Sequence, residues 1–230
     1  MKNIAIIPAR SGSKGLKNKN IKELCGKPLL AYSILSALES NMFTKVFVST
    51  DSESYADIAR QYGAEVPFLR SDENSSDIAS SWDTVREVLL RLEQEGDYYD
   101  TVCLLQPTSP LRTGADIIGA YELYCQKDAK AVVSVSKTKH SPLISNTLDE
   151  SLCMGDFLSK KFFQTPRQLL PQYYIINGAV YIINKEYLFS SNNIYGDECF
   201  AYVMDENRSV DIDDEVDFVI AEYLLEKYRV

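Results

Sequence analysis

Short apolar runs rich in β-branched residues recur between longer stretches of helical spacing, and this alternation restricts the fold more than any other feature. Runs at 4–8, 45–49, 66–69, 101–106, 131–136 and 173–183 read as strands, and 29–42, 53–62, 81–95, 115–126 and 216–228 read as helices. Within 81–95, Val85, Val88, Leu89 and Leu92 share one face, and Gly63 and Gly96 stand where two of the helices should stop. Strand and helix in regular succession predict an α/β fold, a doubly wound and mostly parallel sheet with helices on both faces. In such sheets ligands bind beyond the carboxyl ends of the strands, so the loops there carry the functional information. The rhythm breaks over 141–172, where Leu143, Ile144, Leu152, Met154, Phe157, Phe162 and Phe163 are scattered among polar residues. That segment reads as an insertion whose apolar side chains serve a subunit contact.

A chain of 230 residues suits one such domain, spanning 1–230. Its 24 Lys and Arg stand against 33 Asp and Glu, a formal charge of −9, which argues against nucleic acid as a partner. An acidic protein with an anionic ligand must gather its cations locally, so their positions are informative. The apolar run at the N-terminus is too short for a signal peptide, and no stretch approaches the roughly 18 apolar residues of a membrane span. The five cysteines include no C-x-x-C pair and read as reduced thiols of a cytoplasmic protein.

Three loops could carry chemistry. The first strand runs into Ala9-Arg10-Ser11-Gly12-Ser13-Lys14-Gly15-Leu16-Lys17-Asn18-Lys19-Asn20, which combines two glycines with Arg10, Lys14, Lys17 and Lys19. Backbone donors and cations after a first strand suit a polyphosphate, although a solvated surface loop has the same composition. It matches neither the P-loop nor the dinucleotide fingerprint. Near the C-terminus, Asp211-Ile212-Asp213 places two carboxylates on one side of an extended segment. They repel unless a cation sits between them, and hard oxygen ligands favour Mg²⁺ or Mn²⁺. The competing explanation is an acidic helix start, a role that Asp214 and Glu215 suit. The third loop, Leu105-Gln106-Pro107-Thr108-Ser109-Pro110-Leu111-Arg112-Thr113, follows a buried strand. Gln106 offers an amide to a ligand, while Thr113 is placed to cap the next helix.

Taken together, these segments resemble the cytidylyltransferases that activate nonulosonic acids, the nine-carbon 2-keto sugar acids that include sialic acid. The resemblance rests on residues 7–15 with Lys19-Asn20, Ser49-Thr50-Asp51, Ser76-Asp77 with Ala79-Ser80-Ser81, and the segment 104–113. It continues through Pro166-Arg167-Gln168 with Pro171, then Asn177-Gly178-Ala179-Val180-Tyr181, and Asp211-Ile212-Asp213. The segments occur in family order across nearly the whole chain. The resemblance implies a Rossmann-like fold of the nucleotide-diphospho-sugar transferase type, CTP as co-substrate, Mg²⁺ as cofactor and a dimer. It implies that Ala9, Arg10, Ser13, Lys14, Lys19, Asn20, Arg70 and Ser81 bind the nucleotide. Gln106, Arg167 and Asn177 would face the sugar acid, and Asp211 and Asp213 would hold metal. Lys19, Arg10 and Asp211 would carry the chemistry: the cations draw off pyrophosphate and Asp211 helps remove the proton of the attacking hydroxyl.

The chain departs from the family pattern at two places, of which the one at Ile144 touches the sugar side. Sialic-acid-activating members often carry Lys where Ile144 stands, and the frequent Pro after the arginine is Ser71 here. N-acetylneuraminate is the expected acid, with legionaminate, pseudaminate and 3-deoxy-manno-octulosonate as alternatives. A CTP-sensing domain without turnover would be expected to lack the carboxylates or the loop cations. His140, the only histidine, reads as structural.

Overall fold

Ile4 and Ile6 of strand β1 (Asn3–Pro8) turn to one face of a central sheet, and Ala5 and Ile7 turn to the other. Both faces are covered, which is why the run is apolar throughout instead of alternating with polar residues. The computed structural model describes residues 1–230 apart from 13–14, 76–79, 160–164, 192 and 229–230, and for Arg167 the backbone alone. Its strands after β1 are β2 (Glu23–Leu24), β3 (Lys27–Pro28), β4 (Lys45–Ser49), β5 (Thr101–Leu104), β6 (Ala131–Lys137), β7 (Tyr174–Asn184) and β8 (Cys199–Val203). Its helices are α1 (Leu29–Ser40), α2 (Glu53–Gln61), α3 (Ser81–Gln94), α4 (Gly114–Gln126), α5 (Lys185–Ser190) and α6 (Glu215–Tyr228).

The main sheet has six strands in the order β4-β1-β5-β7-β6-β8, and β2 with β3 forms a separate hairpin. Within the main sheet β7 alone runs against its neighbours, so the sheet is mostly parallel as expected. Leu30, Ile34 and Ala37 of α1, Ala56 and Ala59 of α2, and Ile117, Ala120 and Tyr121 of α4 cover one face. The predicted stripe of Val85, Val88, Leu89 and Leu92 on α3 covers the other. A third cluster seats Phe218, Ala221 and Leu225 of α6 against Leu24, Leu29, Leu111 and Ile212. Each of these side chains, fully removed from water, stabilises the fold by roughly 1.5–3 kcal/mol if it is as large as Leu or Phe.

The helix ends follow local chemistry. Ser80 and Asp83 form a reciprocal capping box on α3, and Thr113 with Asp116 forms another on α4. Asp116 also accepts both prongs of Arg208, at 3.1 and 3.0 Å. Asp214 accepts from the amides of Val216 and Asp217, so it caps α6 as expected, whereas Glu215 pairs with Lys22.

One predicted strand is absent. Residues 66–69 form no ladder, and pairing beside β4 stops at a single bridge between Phe47 and Glu65. Pro67 has no amide hydrogen to continue it, and the chain turns away so that Arg70 N can donate to the Thr50 carbonyl. Three short elements went unpredicted: the β2–β3 hairpin, α5 and the edge strand β8. The segment 141–172 carries two single 3-10 turns, Pro142–Ile144 and Arg167–Leu169, among its described residues. Ile144, Leu152 and Met154 are exposed there; Phe162 and Phe163 lie outside the described residues. Among the described residues no helix is long and apolar enough to cross a membrane.

Strand β7 is interrupted where it matters for the site. Two steps along β6, from Val133 to Val135, span five on β7, from Tyr181 to Ile176. The surplus residues bulge out around Gly178, whose φ of 73° lies in the left-handed region.

Candidate active site

The ends of β1, β4 and β5 open into a cavity of about 440 Å³. The loop after β1 enters it under tight restraint. Ala9 N donates to the Ser49 carbonyl at 2.8 Å. Ser11 gives its amide and hydroxyl to the two oxygens of Asp51, at 2.8 and 2.9 Å. Asn20 Nδ2 donates to the Arg10 carbonyl at 2.9 Å. The Ser49-Thr50-Asp51 segment is therefore the clamp that shapes the cation loop, and Ala9 and Asn20 sit within that clamp.

Arg10, Lys19, Asn20, Arg70 and Ser81 all line the cavity. Arg70 is buried and donates from Nε to the Ser49 hydroxyl (3.1 Å) and from Nη2 to the Ser49 carbonyl (2.5 Å). Burial lowers its pKa to about 10, so the guanidinium stays charged at neutral pH. Ser81 and Thr84 come from the first turn of α3, where the helix dipole favours an anion, although the Asp83 carboxylate of the capping box already takes part of that field. Ser13 and Lys14 lie outside the described residues.

Across the cavity stands the acidic segment. Ile212 is fully buried, whereas Asp211 and Asp213 on either side of it are exposed. Lys19 Nζ donates to the Ile212 carbonyl at 2.6 Å and to Asp213 Oδ1 at 3.3 Å. Gly15 packs against the same segment: a Cβ there would stand 2.8 Å from the Asp213 carbonyl oxygen. Asp211 lies beside the cavity. Its surroundings raise its pKa: partial desolvation is the largest cause and the like charge of Asp213 adds to it, while Thr108 and Lys19 work against the rise. Among the described residues no group of three or more His, Cys, Asp and Glu is arranged to hold a metal.

Gln106, Pro107 and Thr108 form the third wall. Asn177, expected to face the sugar, is placed differently. It is 4% exposed, outside the cavity lining, and its amide is occupied. Oδ1 accepts from the Ser134 hydroxyl (2.6 Å) and Ala179 N (3.2 Å), while Nδ2 donates to the Ser209 hydroxyl (2.9 Å). It ties the β7 bulge to the chain leading into Asp211. The Arg167 side chain lies outside the described residues, and exposed His140 is away from the cavity lining.

Four contributors were missed. Thr84 was legible, since it stands one helical turn after Ser81. Thr108 was in view within the third loop but was given no role. Asn74 also lines the cavity, from a short turn that gave no periodic signal. Gly178 was read as part of a motif, without its reason: a Cβ there would collide with Gln106 Oε1.

A mostly parallel α/β sheet whose strand ends gather cations, a helix start and a carboxylate around one cavity is the arrangement of a nucleotide-binding α/β protein. The family model described as cytidylyltransferase matches residues 4–197, and the chain belongs to that family. It is similar to an N-acylneuraminate cytidylyltransferase of Escherichia coli O18:K1:H7, at 42% identity over 95% of this chain and 51% of that one. It is also similar to a CMP-N,N'-diacetyllegionaminic acid synthase of Legionella pneumophila, at 36% identity over 98% of this chain and 97% of that one. The chain thus spans about half of the first relative and nearly all of the second. Among solved structures, a CMP:2-keto-3-deoxy-manno-octonic acid synthetase in complex with CTP superposes with a TM-score of 0.73. At 14% identity over 99% of this chain and all of that one, that likeness is one of fold.

Proposed function

We propose that this chain joins a nonulosonic acid to CTP, forming the CMP-sugar and releasing pyrophosphate. The observation that carries the reading is the convergence on one cavity of Arg10, Lys19 and Arg70, the first turn of α3 and Asp213, with Asp211 next to it. The anomeric hydroxyl attacks the α-phosphorus in line, a P–O bond forms, and the bond to the β-phosphate breaks. The hydroxyl proton passes toward Asp211, whose raised pKa suits a proton acceptor. Arg10 and Lys19 take up the charge on departing pyrophosphate. Arg70, Ser81 and Asn20 hold the nucleotide, with Ser13, Lys14 and Ala9 completing the phosphate loop. Gln106 faces the sugar, Arg167 its carboxylate, and Asn177 supports that wall from behind.

Asp211 and Asp213 fit a divalent cation such as Mg²⁺, because hard carboxylate oxygens on one side of a strand suit it. Two of them fall short of a full set, leaving positions for phosphate oxygens and water. When bound, the ion supplies neutralisation of the triphosphate charge.

N-acetylneuraminate is the acid we favour, supported by the name of the relative at 42% identity. Legionaminate, supported by the Legionella relative, pseudaminate and 3-deoxy-manno-octulosonate are the alternatives. We further read the chain as one domain that forms a homodimer through 141–172. Exposed Ile144, Leu148, Leu152, Met154 and Leu169 support that contact. Five free cysteines support a cytoplasmic location.

The test is pyrophosphate release from CTP and Mg²⁺ with each of the four acids, using the other nucleotides as controls. Release that needs CTP together with one acid is the expected result. A folded protein that binds CTP and releases no pyrophosphate with any acid would be a nucleotide sensor instead.

A further inference from the structure

Arg112 is 2% exposed, yet its hydrogen bonds go to neutral acceptors. Its guanidinium donates to the carbonyls of Ala179 (3.0 Å), Gln106 (3.3 Å) and Ser109 (3.3 Å), to the Ser36 hydroxyl (3.4 Å) and to the Ser33 hydroxyl. The buried Asp116 carboxylate acts on it through space but makes no hydrogen bond to it; a charge taken from water with so little direct anionic pairing opposes folding, and an apolar side chain of similar size would fill the space without that cost. What the planar fork provides is simultaneous attachment to three segments. Ser33 and Ser36 belong to α1, Gln106 and Ser109 to the turn after β5, and Ala179 to the β7 bulge. Ser33 reinforces the tie by donating to the same Gln106 carbonyl, at 3.2 Å.

Those attachments converge on the wall assigned to the sugar acid. The Gln106 side chain lies over Gly178 in the bulge. Two residues on, the Thr108 carbonyl accepts from Ile212 N at 2.8 Å, which ties the turn to the peptide that follows Asp211. We propose that Arg112 is a positioning residue for the transfer reaction: it fixes the 106–109 turn so that Gln106 meets the sugar acid and the Thr108 carbonyl keeps the 211–213 segment in register with it. The proposal rests on the reading of this cavity as the CTP and sugar-acid site. Among the described residues neither the cation loop nor α3 bonds to Arg112, and the cation loop meets the turn only indirectly, through Lys19 on the Ile212 carbonyl, so the nucleotide side should feel its loss less than the sugar side.

The experiment measures steady-state pyrophosphate release by the full chain, varying CTP and the sugar acid separately, for the unsubstituted protein, Arg112→Lys and Ser33→Ala. Circular dichroism and thermal melting establish the folded fraction. Lysine keeps the charge and loses the fork. The expected result for Arg112→Lys is a kcat lower and a sugar KM higher by roughly 10- to 100-fold together, with the CTP KM unchanged. Ser33→Ala shifts both in the same direction by less. Variants that lose only melting temperature while kcat and sugar KM hold would make Arg112 purely structural and overturn the proposal, as would CTP and sugar KM rising together. An unsubstituted protein that turns over no acid would overturn the reading of the site itself, and the positioning role with it.

Discussion

The ammonium of Lys19 reaches across the cavity to the Ile212 carbonyl at 2.6 Å, so the cation loop is fastened to the acidic segment at the peptide between its two carboxylates. Lys19 thereby links the two walls of the cavity, and in the proposed reaction its charge would also meet the phosphates. Replacing it with Met should lower kcat by about 10²–10³, the scale of losing one preorganised donor. Pyrophosphate release at saturating CTP checks this, with melting nearly unchanged because the Asp213 partner is solvent-exposed.

Asp211 should show activity and stability in opposition. Its carboxyl titrates above the ordinary range in the folded chain, so the folded state binds that proton more tightly than the unfolded state does. The ionised group therefore opposes folding at every pH above the ordinary carboxylate range. Asp211→Asn keeps the shape of the side chain and removes the charge. Turnover should vanish while the melting temperature at pH 7 rises, and the gain should disappear as pH falls below about 4.

The same shift predicts the acid limb of the reaction. If Asp211 must be ionised to accept the proton, kcat should fall on acidification at a pH above the usual carboxylate value of about 3.9. Asp213→Asn removes the like charge that contributes to the rise, so the limb should move to lower pH, incompletely because desolvation is the larger cause. A pH–rate profile of both proteins reads the shift directly.

Gly178 tests the bulge. Alanine there must adopt a φ of 73° and displace Gln106. The backbone cost is about 1–3 kcal/mol, measurable by urea denaturation. The displaced amide should raise the sugar KM while leaving the CTP KM as it was.

How much of this was visible in the residues differs by element. Period-two and helical spacing sufficed for β1, β4, β5 and the α3 stripe, because burial of one face dictates both pattern and structure there. The same reading wrote a strand over 66–69, where apolar content was right and Pro67 forbade the ladder. Edge strand β8 escaped notice because it is largely half-exposed, so its residues carry little alternation. In the site, Arg10 and Lys19 were legible as cations gathered in an acidic chain, and the Asp211–Asp213 pair as carboxylates alternating around Ile212. Arg70 and Asn177 came only from the resemblance to the family, and the direction of Asn177 was not legible. A bulge rotates side chains relative to the strand pattern, and nothing in the residue types says that Ser134 and Ser209 are waiting for its amide. Arg112 was hidden because its hydrogen-bond partners are carbonyls and hydroxyls, which leave no charge pattern in the sequence.

The contact between Gly15 and Asp213 joins residues far apart in the sequence. Pairings of such separation are slow to find and must wait for the later residue to be synthesised. A chain still emerging from the ribosome can therefore cap α3 and lay β1 beside β4 while the loop after β1 has no opposite wall. The cavity is thus among the last features of this domain to close, after the sheet that supports it is in place.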